Sequence, residues 1–205
     1  MARIVFKEIL ILIKLRESPI FVQSMKQIIK ILEAGKLLLA PTDTIWGILC
    51  DATNPSAVEK VYDLKKRPDS KAMICMVADL EMLQKYIDDL PKKIHHYIND
   101  QRPTTVIYKN PKGIAQNAIA QENTVGIRVV NHHFCTPLIK AFGKPLISTS
   151  ANISGASNPH KFSDIDTQII SGVDHIIELD KDKINPKPSR IIKIESSGDI
   201  SLLRS

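Results

Sequence analysis

The chain has 205 residues, of which 43% are hydrophobic and 24% charged. That balance suits a folded globular protein and excludes a disordered chain, a collagen-like polymer and a bundle of membrane spans. Lys and Arg total 28 against 22 Asp and Glu, a net charge of +6, which favours anionic partners such as nucleotides, phosphates or RNA without choosing among them.

The charge is uneven along the chain. Residues 1–36 hold seven basic residues (Arg3, Lys7, Lys14, Arg16, Lys26, Lys30, Lys36) against three acidic ones (Glu8, Glu17, Glu33), so most of the excess lies there. Residues 4–15 are apolar but interrupted by Lys7, Glu8 and Lys14. That run is too short and too charged to span a bilayer, and no small-residue cleavage site follows it. Residues 1–24 read as an N-terminal extension, either an appended strand or helix or a matter of start-site choice. A regular pattern begins at Met25.

Apolar residues at helical spacing predict a helix over 25–34, stopped by Gly35, and 37–40 reads as a buried strand ended by Pro41. Asn54 followed by Pro55 predicts an N-cap and a first helical position, and Ala57, Val58, Val61, Tyr62 and Leu64 form that helix's apolar face. A strand is expected at 73–77, a helix capped by Asp79 through Tyr86, and another helix over 91–98. Residues 104–108 and 126–130 are rich in β-branched residues and read as strands. A helix over 132–142 stops at Gly143, and a strand at 145–148 runs into a polar loop. Ser163 is expected to cap a helix ending near Gly172, and 175–179, 190–194 and 200–203 read as closing strands. Interleaved strands and helices with no repeat or linker predict a single α/β domain with a mixed sheet.

Three cysteines, Cys50, Cys75 and Cys135, lie 25 and 60 positions apart with no CxxC. A disulfide framework or zinc ribbon is therefore not expected, and a reducing cytoplasm is the simplest setting. Each cysteine lies in or beside an apolar run and reads as a small buried hydrophobe. The adjacent pairs His95/His96 and His132/His133 fall on predicted helices, where neighbours do not face one another. HExxH is absent, so no metal site is expected. The 5% aromatic content offers no obvious platform for stacking bases.

Four polar clusters lie at the ends of predicted elements, where α/β proteins place ligand loops. Pro41-Thr42-Asp43-Thr44-Ile45-Trp46-Gly47 brings two hydroxyls and a carboxylate out of a buried strand beside the only Trp. It is either a small polar pocket or a turn in which Asp43 caps its own backbone. Lys65-Lys66-Arg67-Pro68-Asp69-Ser70-Lys71 follows a helix end and is either a phosphate clamp or a solvated, dipole-complementing terminus. Ser148-Thr149-Ser150-Ala151-Asn152-Ile153-Ser154-Gly155 is dense in hydroxyls suited to phosphate oxygens, although no Walker A loop exists in the chain. Pro188-Ser189-Arg190-Ile191-Ile192 forms the fourth cluster, together with Arg128 inside an apolar strand. Arg128 needs either a structural ion pair or an anionic ligand.

In this order the clusters resemble the YrdC-like family of threonylcarbamoyl-AMP synthases. The resemblance rests on KLLLAPTDTIWG (36–47), LKKRP (64–68), GIRV (126–129), KPLISTSANISG (144–155) and PSRII (188–192). It implies a twisted mixed sheet flanked by helices, with a concave basic cavity in one catalytic domain over 25–205. It implies formation of threonylcarbamoyl-AMP and pyrophosphate from L-threonine, bicarbonate or CO2, and ATP, with Mg2+ brought by the nucleotide. The product would serve a tRNA threonylcarbamoyl-transfer complex acting at position 37, and weak binding of double-stranded RNA or tRNA would accompany it.

Carried over by position, Lys65 and Arg67 match the family's KxR pair, and Ser150 and Asn152 its SxN pair. Thr42, Thr44 and Arg128 would hold threonine. Lys71, Thr105, Ser148, Thr149, Ser150, Asn152, Asn158 and Arg204 would contact ATP. Three departures stand out. The family's Trp-Pro-Gly-Pro-hydrophobic-Thr segment reads Asp100-Gln101-Arg102-Pro103-Thr104-Thr105 here. Met76 replaces a His of some members, and Arg190 stands where many have Thr. The length matches the form without an added C-terminal domain. Two other readings of the same residues are a basic-groove RNA-binding module without activity and a relative that uses carbamoyl phosphate.

Overall fold

The computed structural model describes residues 19–67, 73–91, 93–98, 100–184, 187–195 and 199–205. Helix α1 (Pro19–Glu33) leads into strands β1 (Leu38–Ala40) and β2 (Gly47–Asp51). Then come α2 (Pro55–Lys65), β3 (Ile74–Val77), α3 (Leu80–Tyr86), the short α4 (Ile94–Ile98) and β4 (Thr104–Lys109). The chain continues through β5 (Thr124–Val129), α5 (Cys135–Phe142), β6 (Leu146–Ser150) and α6 (Thr167–Gly172). Strands β7 (His175–Ile176), β8 (Arg190–Ile194) and β9 (Ile200–Arg204) close it. All nine strands form one sheet in the order β7-β1-β2-β6-β3-β5-β4-β8-β9. The pairs β1/β7, β3/β5 and β4/β8 are parallel and the other neighbours antiparallel, so the expected mixed α/β sheet is present.

Three of the expected caps form. Asn54 accepts from the N–H groups of Ser56 and Ala57, Asp79 accepts from that of Met82, and Gly143 ends α5 at φ 77°. Elsewhere the elements differ from the sequence reading, each time for a local reason. Strand β2 is buried along its whole length, so it lacks the alternation that marks a half-exposed strand. Strand β6 runs on to Ser150, because its hydroxyl residues pair with β2 rather than forming a loop. Helix α5 begins at Cys135, not 132, which leaves both histidines on the preceding loop. Helix α6 is capped by Asp166, whose carboxylate accepts from Gln168 N–H, while Ser163 lies in a separate 3-10 turn (Phe162–Asp164). The helix expected over 91–98 shrinks to Ile94–Ile98, and the strand expected at 175–179 to His175–Ile176. Helix α1 is described from Pro19 and runs unbroken across residues 24 and 25, where the sequence reading placed a boundary. Residues 1–18 lie outside the described residues.

The core follows from strand register. Cys50 pairs with Ile147, Ile147 with Cys75, Cys75 with Ile127, Ile127 with Val106 and Val106 with Ile192. All six are buried, so one apolar row crosses the middle of the sheet. Each large aliphatic buried this way contributes about 1.5–3 kcal/mol. Helix α1 adds Met25, Ile28 and Leu32 and packs on α5 and β2. The three cysteines are free and buried, and burial pushes their thiols up, that of Cys75 to about 12. They are small hydrophobes, as the sequence predicts. Among the described residues no helix is long and apolar enough to cross a membrane.

Candidate active site

One position along the same strands, the side chains turn to the opposite face, because a strand alternates with a period of two. There Gly47, Ser148, Ser150, Gly126 and Arg128 line a cavity of about 260 Å³. Two strand glycines keep it open. A Cβ on Gly47 would lie 3.3 Å from both the Ser148 hydroxyl and the Thr149 carbonyl oxygen. One on Gly126 would lie 3.1 Å from Thr105 Cγ2 and 3.3 Å from Ile107 Cδ1. Any side chain there would press on its neighbours and fill the floor.

Three arginines, Arg67, Arg128 and Arg204, line the cavity, and among the described residues none of its lining is a carboxylate. Arg128 projects from β5 and is only 3% exposed. Its Nη2 lies 3.1 Å from Asp43 Oδ1 and 3.3 Å from Met76 Sδ, while its Nε has no hydrogen-bond partner. A lone guanidinium at this depth would cost several kcal/mol, so Asp43 is what makes the position tolerable. Burial pushes the Asp43 carboxyl above its ordinary value, and the charge of Arg128 opposes that rise. Arg204, on the edge strand β9, donates from Nε to the Ser189 carbonyl (2.9 Å) and from Nη2 to the Ser189 hydroxyl (3.2 Å). Burial, and then the charge of Arg128, lowers the pKa of Arg204. Burial also lowers that of Arg67. Arg67 follows a left-handed Lys66 (φ 50°) that turns the chain out of α2.

The second and third polar clusters interlock. Lys65 is 2% exposed, and its ammonium donates to the backbone carbonyls of Ser150 and Asn152 (2.6 Å to the latter), with Asn152 Oδ1 at 3.4 Å. Ser150 Oγ donates to Asn152 Oδ1, Asn152 Nδ2 donates to the Ala156 carbonyl, and Ser154 N–H donates to the Lys65 carbonyl. Lys65 therefore anchors the turn after β6 from behind. Burial, followed by repulsion from Arg67, lowers its pKa to about 8. The Thr42 hydroxyl closes its own turn, donating to the Ile45 carbonyl (2.8 Å) and accepting from Thr44 N–H (3.1 Å). Thr105 is fully buried, its Oγ1 2.8 Å from the Ser189 hydroxyl.

The site residues expected from sequence thus separate into two layers. Thr44, Arg67, Arg128, Ser148, Thr149, Ser150, Asn158 and Arg204 reach the cavity. Lys65, Asn152, Thr42 and Thr105 are not among its lining residues, and Lys71 lies outside the described residues. Sequence reasoning missed Asp43 as the partner of Arg128, Ser189 as the seat of Arg204, and the open floor at Gly126. Arg128 itself was the available signal for Asp43, since an arginine in an apolar strand demands a counter-ion. Two of the unusual residues also find each other. Arg190 Nη2 pairs with Asp100 Oδ2 at 2.8 Å, donates to Thr104 Oγ1 at 2.7 Å, and stacks its guanidinium 5.1 Å from the Tyr97 ring. A hard divalent ion needs oxygen ligands, chiefly carboxylates. With none among the described lining residues, these side chains offer no carboxylate cage for Mg2+.

The chain is similar to known proteins in sequence and in fold. A family model for Sua5, YciO and YrdC, described as "Telomere recombination", matches residues 30–205. A protein of Methanocaldococcus jannaschii is 38% identical over 171 residues, covering 82% of this chain and 79% of that one. The threonylcarbamoyl-AMP synthase of Photobacterium profundum is 31% identical over 159 residues, covering 76% of this chain and 86% of its own. The crystal structure of P. abyssi Sua5 complexed with L-threonine superposes with a TM-score of 0.79 at 23% identity over 88% of this chain. This chain spans about half of that one, 53% of its length, and the likeness is one of fold.

Proposed function

We propose that this chain, which belongs to the Sua5/YciO/YrdC family, makes threonylcarbamoyl-AMP and pyrophosphate from L-threonine, bicarbonate or CO2, and ATP. The observation that carries this reading is the convergence of Arg67, Arg128 and Arg204 with Ser148 and Ser150 on one cavity, with no carboxylate among its described lining residues. A relative named for this activity supports it, as does the L-threonine in the Sua5 complex.

The chemistry matches the residues. The threonine amine forms an N–C bond to CO2 and loses a proton, giving a carbamate anion. A carbamate oxygen then attacks the α-phosphorus of ATP, the bond to the bridging oxygen breaks, and pyrophosphate leaves with the electron pair. Two anions must meet, so the three guanidinium groups offset their repulsion and the charge that builds on the leaving group. Their effect is larger in a partly dry site than in water. Ser148, Ser150 and Asn158 supply donors for phosphate oxygens, and Thr44 contributes a hydroxyl to the threonine side. Lys65 acts from behind by holding the Ser150-to-Asn152 turn, and Thr105 by holding Ser189. No enzyme nucleophile is needed. Mg2+ arriving on ATP would supply charge neutralisation at the phosphates. In the cytoplasm the product would pass to a transfer complex that modifies adenosine 37 of tRNA.

The test is pyrophosphate release from ATP with Mg2+, bicarbonate and each of several amino acids, with mass detection of the adenylate. Release should need both L-threonine and bicarbonate, and Arg67→Ala should raise the KM for ATP without changing the Tm. ATP binding without release would overturn the reading and shift weight to the RNA-binding module, whose affinity must then fall steeply with salt.

A further inference from the structure

A second, polar cavity of about 610 Å³ lies beside Thr42 and Asp43, with His132 and His133 in its wall. Both histidines sit on the loop before α5, so, unlike neighbours on a helix, their side chains converge. His132 Nε2 is 3.8 Å and His133 Nε2 3.5 Å from Asp180 Oδ2, and one ligand atom from each of the three residues falls within 4.8 Å of the others. His132 is 7% exposed. Neither its Nε2 nor Asp180 Oδ2 has a hydrogen-bond partner, although both atoms are buried. Two orphaned polar atoms aimed at one point call for an explanation, because each carries an uncompensated desolvation cost.

We infer that His132, His133 and Asp180 form a site for a divalent first-row transition ion of the zinc class, with an open position toward the second cavity. Tetrahedral bonds of about 2.0–2.1 Å separate ligand atoms by roughly 3.3 Å. The two histidine-to-carboxylate gaps, 3.8 and 3.5 Å, lie within about half an ångström of that separation, and with all three ligand atoms within 4.8 Å of one another, closing onto an ion takes side-chain shifts of at most about 1.5 Å. Two imidazoles and one carboxylate form a borderline donor set that suits zinc, cobalt, nickel or copper and not the hard Mg2+ that accompanies ATP. Three protein ligands leave a fourth position free, as in zinc sites that keep a water. Coordination through Nε2 puts the His132 proton on Nδ1, at the expense of a long 3.4 Å contact from Cys135 N–H. That contact lies outside the usual 2.7–3.2 Å range and is weak. A bound ion would tie the loop carrying Asp180, which is left-handed at φ 51°, to the start of α5.

Calorimetric titration of the full chain with zinc chloride, repeated with cobalt chloride and visible absorption, tests this. One ion should bind per chain, unaffected by excess Mg2+, and cobalt should give the bands of a four- or five-coordinate ion. His133→Ala and Asp180→Asn should each weaken binding at least tenfold while leaving the metal-free Tm close to wild type. The His133 side chain is 41% exposed, and Asn tolerates the left-handed backbone as Asp does. No binding at micromolar zinc would overturn the inference. Binding unchanged in both variants would also overturn it, by placing the ion on His95, His96, His160 or His175. ATP-dependent pyrophosphate release is a separate readout, so this site and the proposed activity can fail independently.

Discussion

Strands β5 and β6 present two unlike faces at adjacent positions. On one, Ile127 and Ile147 belong to the buried apolar row that crosses the sheet. On the other, Gly126, Arg128, Ser148 and Ser150 line the cavity. The comparison teaches that fold and site are separated here by strand alternation rather than by distance. A step of one residue along the chain exchanges a place in the packed core for a place on the cavity wall. It also shows what the site costs. Four positions on the central strands hold no large apolar side chain, and the one long side chain among them is a buried cation that needs Asp43 at 3.1 Å.

Arg128 is the one residue that belongs to both sides of this division, and breaking it should have the largest effect. Arg128→Met removes a cavity cation and leaves Asp43 buried without its partner. Stability should fall by about 3–5 kcal/mol, and pyrophosphate release should be lost. Adding Asp43→Asn should restore most of the stability in urea unfolding but none of the activity. A single variant as stable as wild type would show that the pair does not hold the fold.

Adjacent substitutions on β6 should sharpen the contrast. Ile147→Ala empties a packed position and should cost about 2–5 kcal/mol, with normal turnover per folded molecule. Ser148→Ala, the next residue, should leave the Tm within about a degree or two and raise the KM for ATP several-fold. Equal effects of the two on KM would mean that the faces are not separable. A stability change between those of Ile147→Ala and Ser148→Ala is expected from Gly126→Ala. Its Cβ would need Thr105 Cγ2 and Ile107 Cδ1 to yield from 3.1 and 3.3 Å. Roughly 1–3 kcal/mol of overpacking strain should result, with a larger loss of ATP affinity because the cavity floor rises. Parallel thermal unfolding and ATP titration measure both.

Much of this was legible in the residues themselves. Local chemistry placed Asn54, Asp79 and Gly143 at helix ends, because a cap acts on backbone groups only two to four positions away. β-Branched runs marked β4 and β5, and the hydroxyl-rich STSAN stretch together with Arg67 and Arg128 marked the cavity. Strand β2 escaped because burial on both faces erases the alternation that betrays a strand. The histidine pair at 132 and 133 read as noise because it was assigned to a helix that begins three residues later.

By itself, then, the sequence determined the class of fold, the caps of α2, α3 and α5, the burial of the cysteines and the family resemblance, all of which depend on local pattern or residue order. Only the tertiary structure decided which of the matched residues touch the cavity and which stand behind it. It also paired Arg128 with Asp43 and Arg190 with Asp100, and brought Asp180 to the two histidines. Those outcomes join residues 47 to 90 positions apart. They depend on strand register and burial, which no local stretch of sequence encodes.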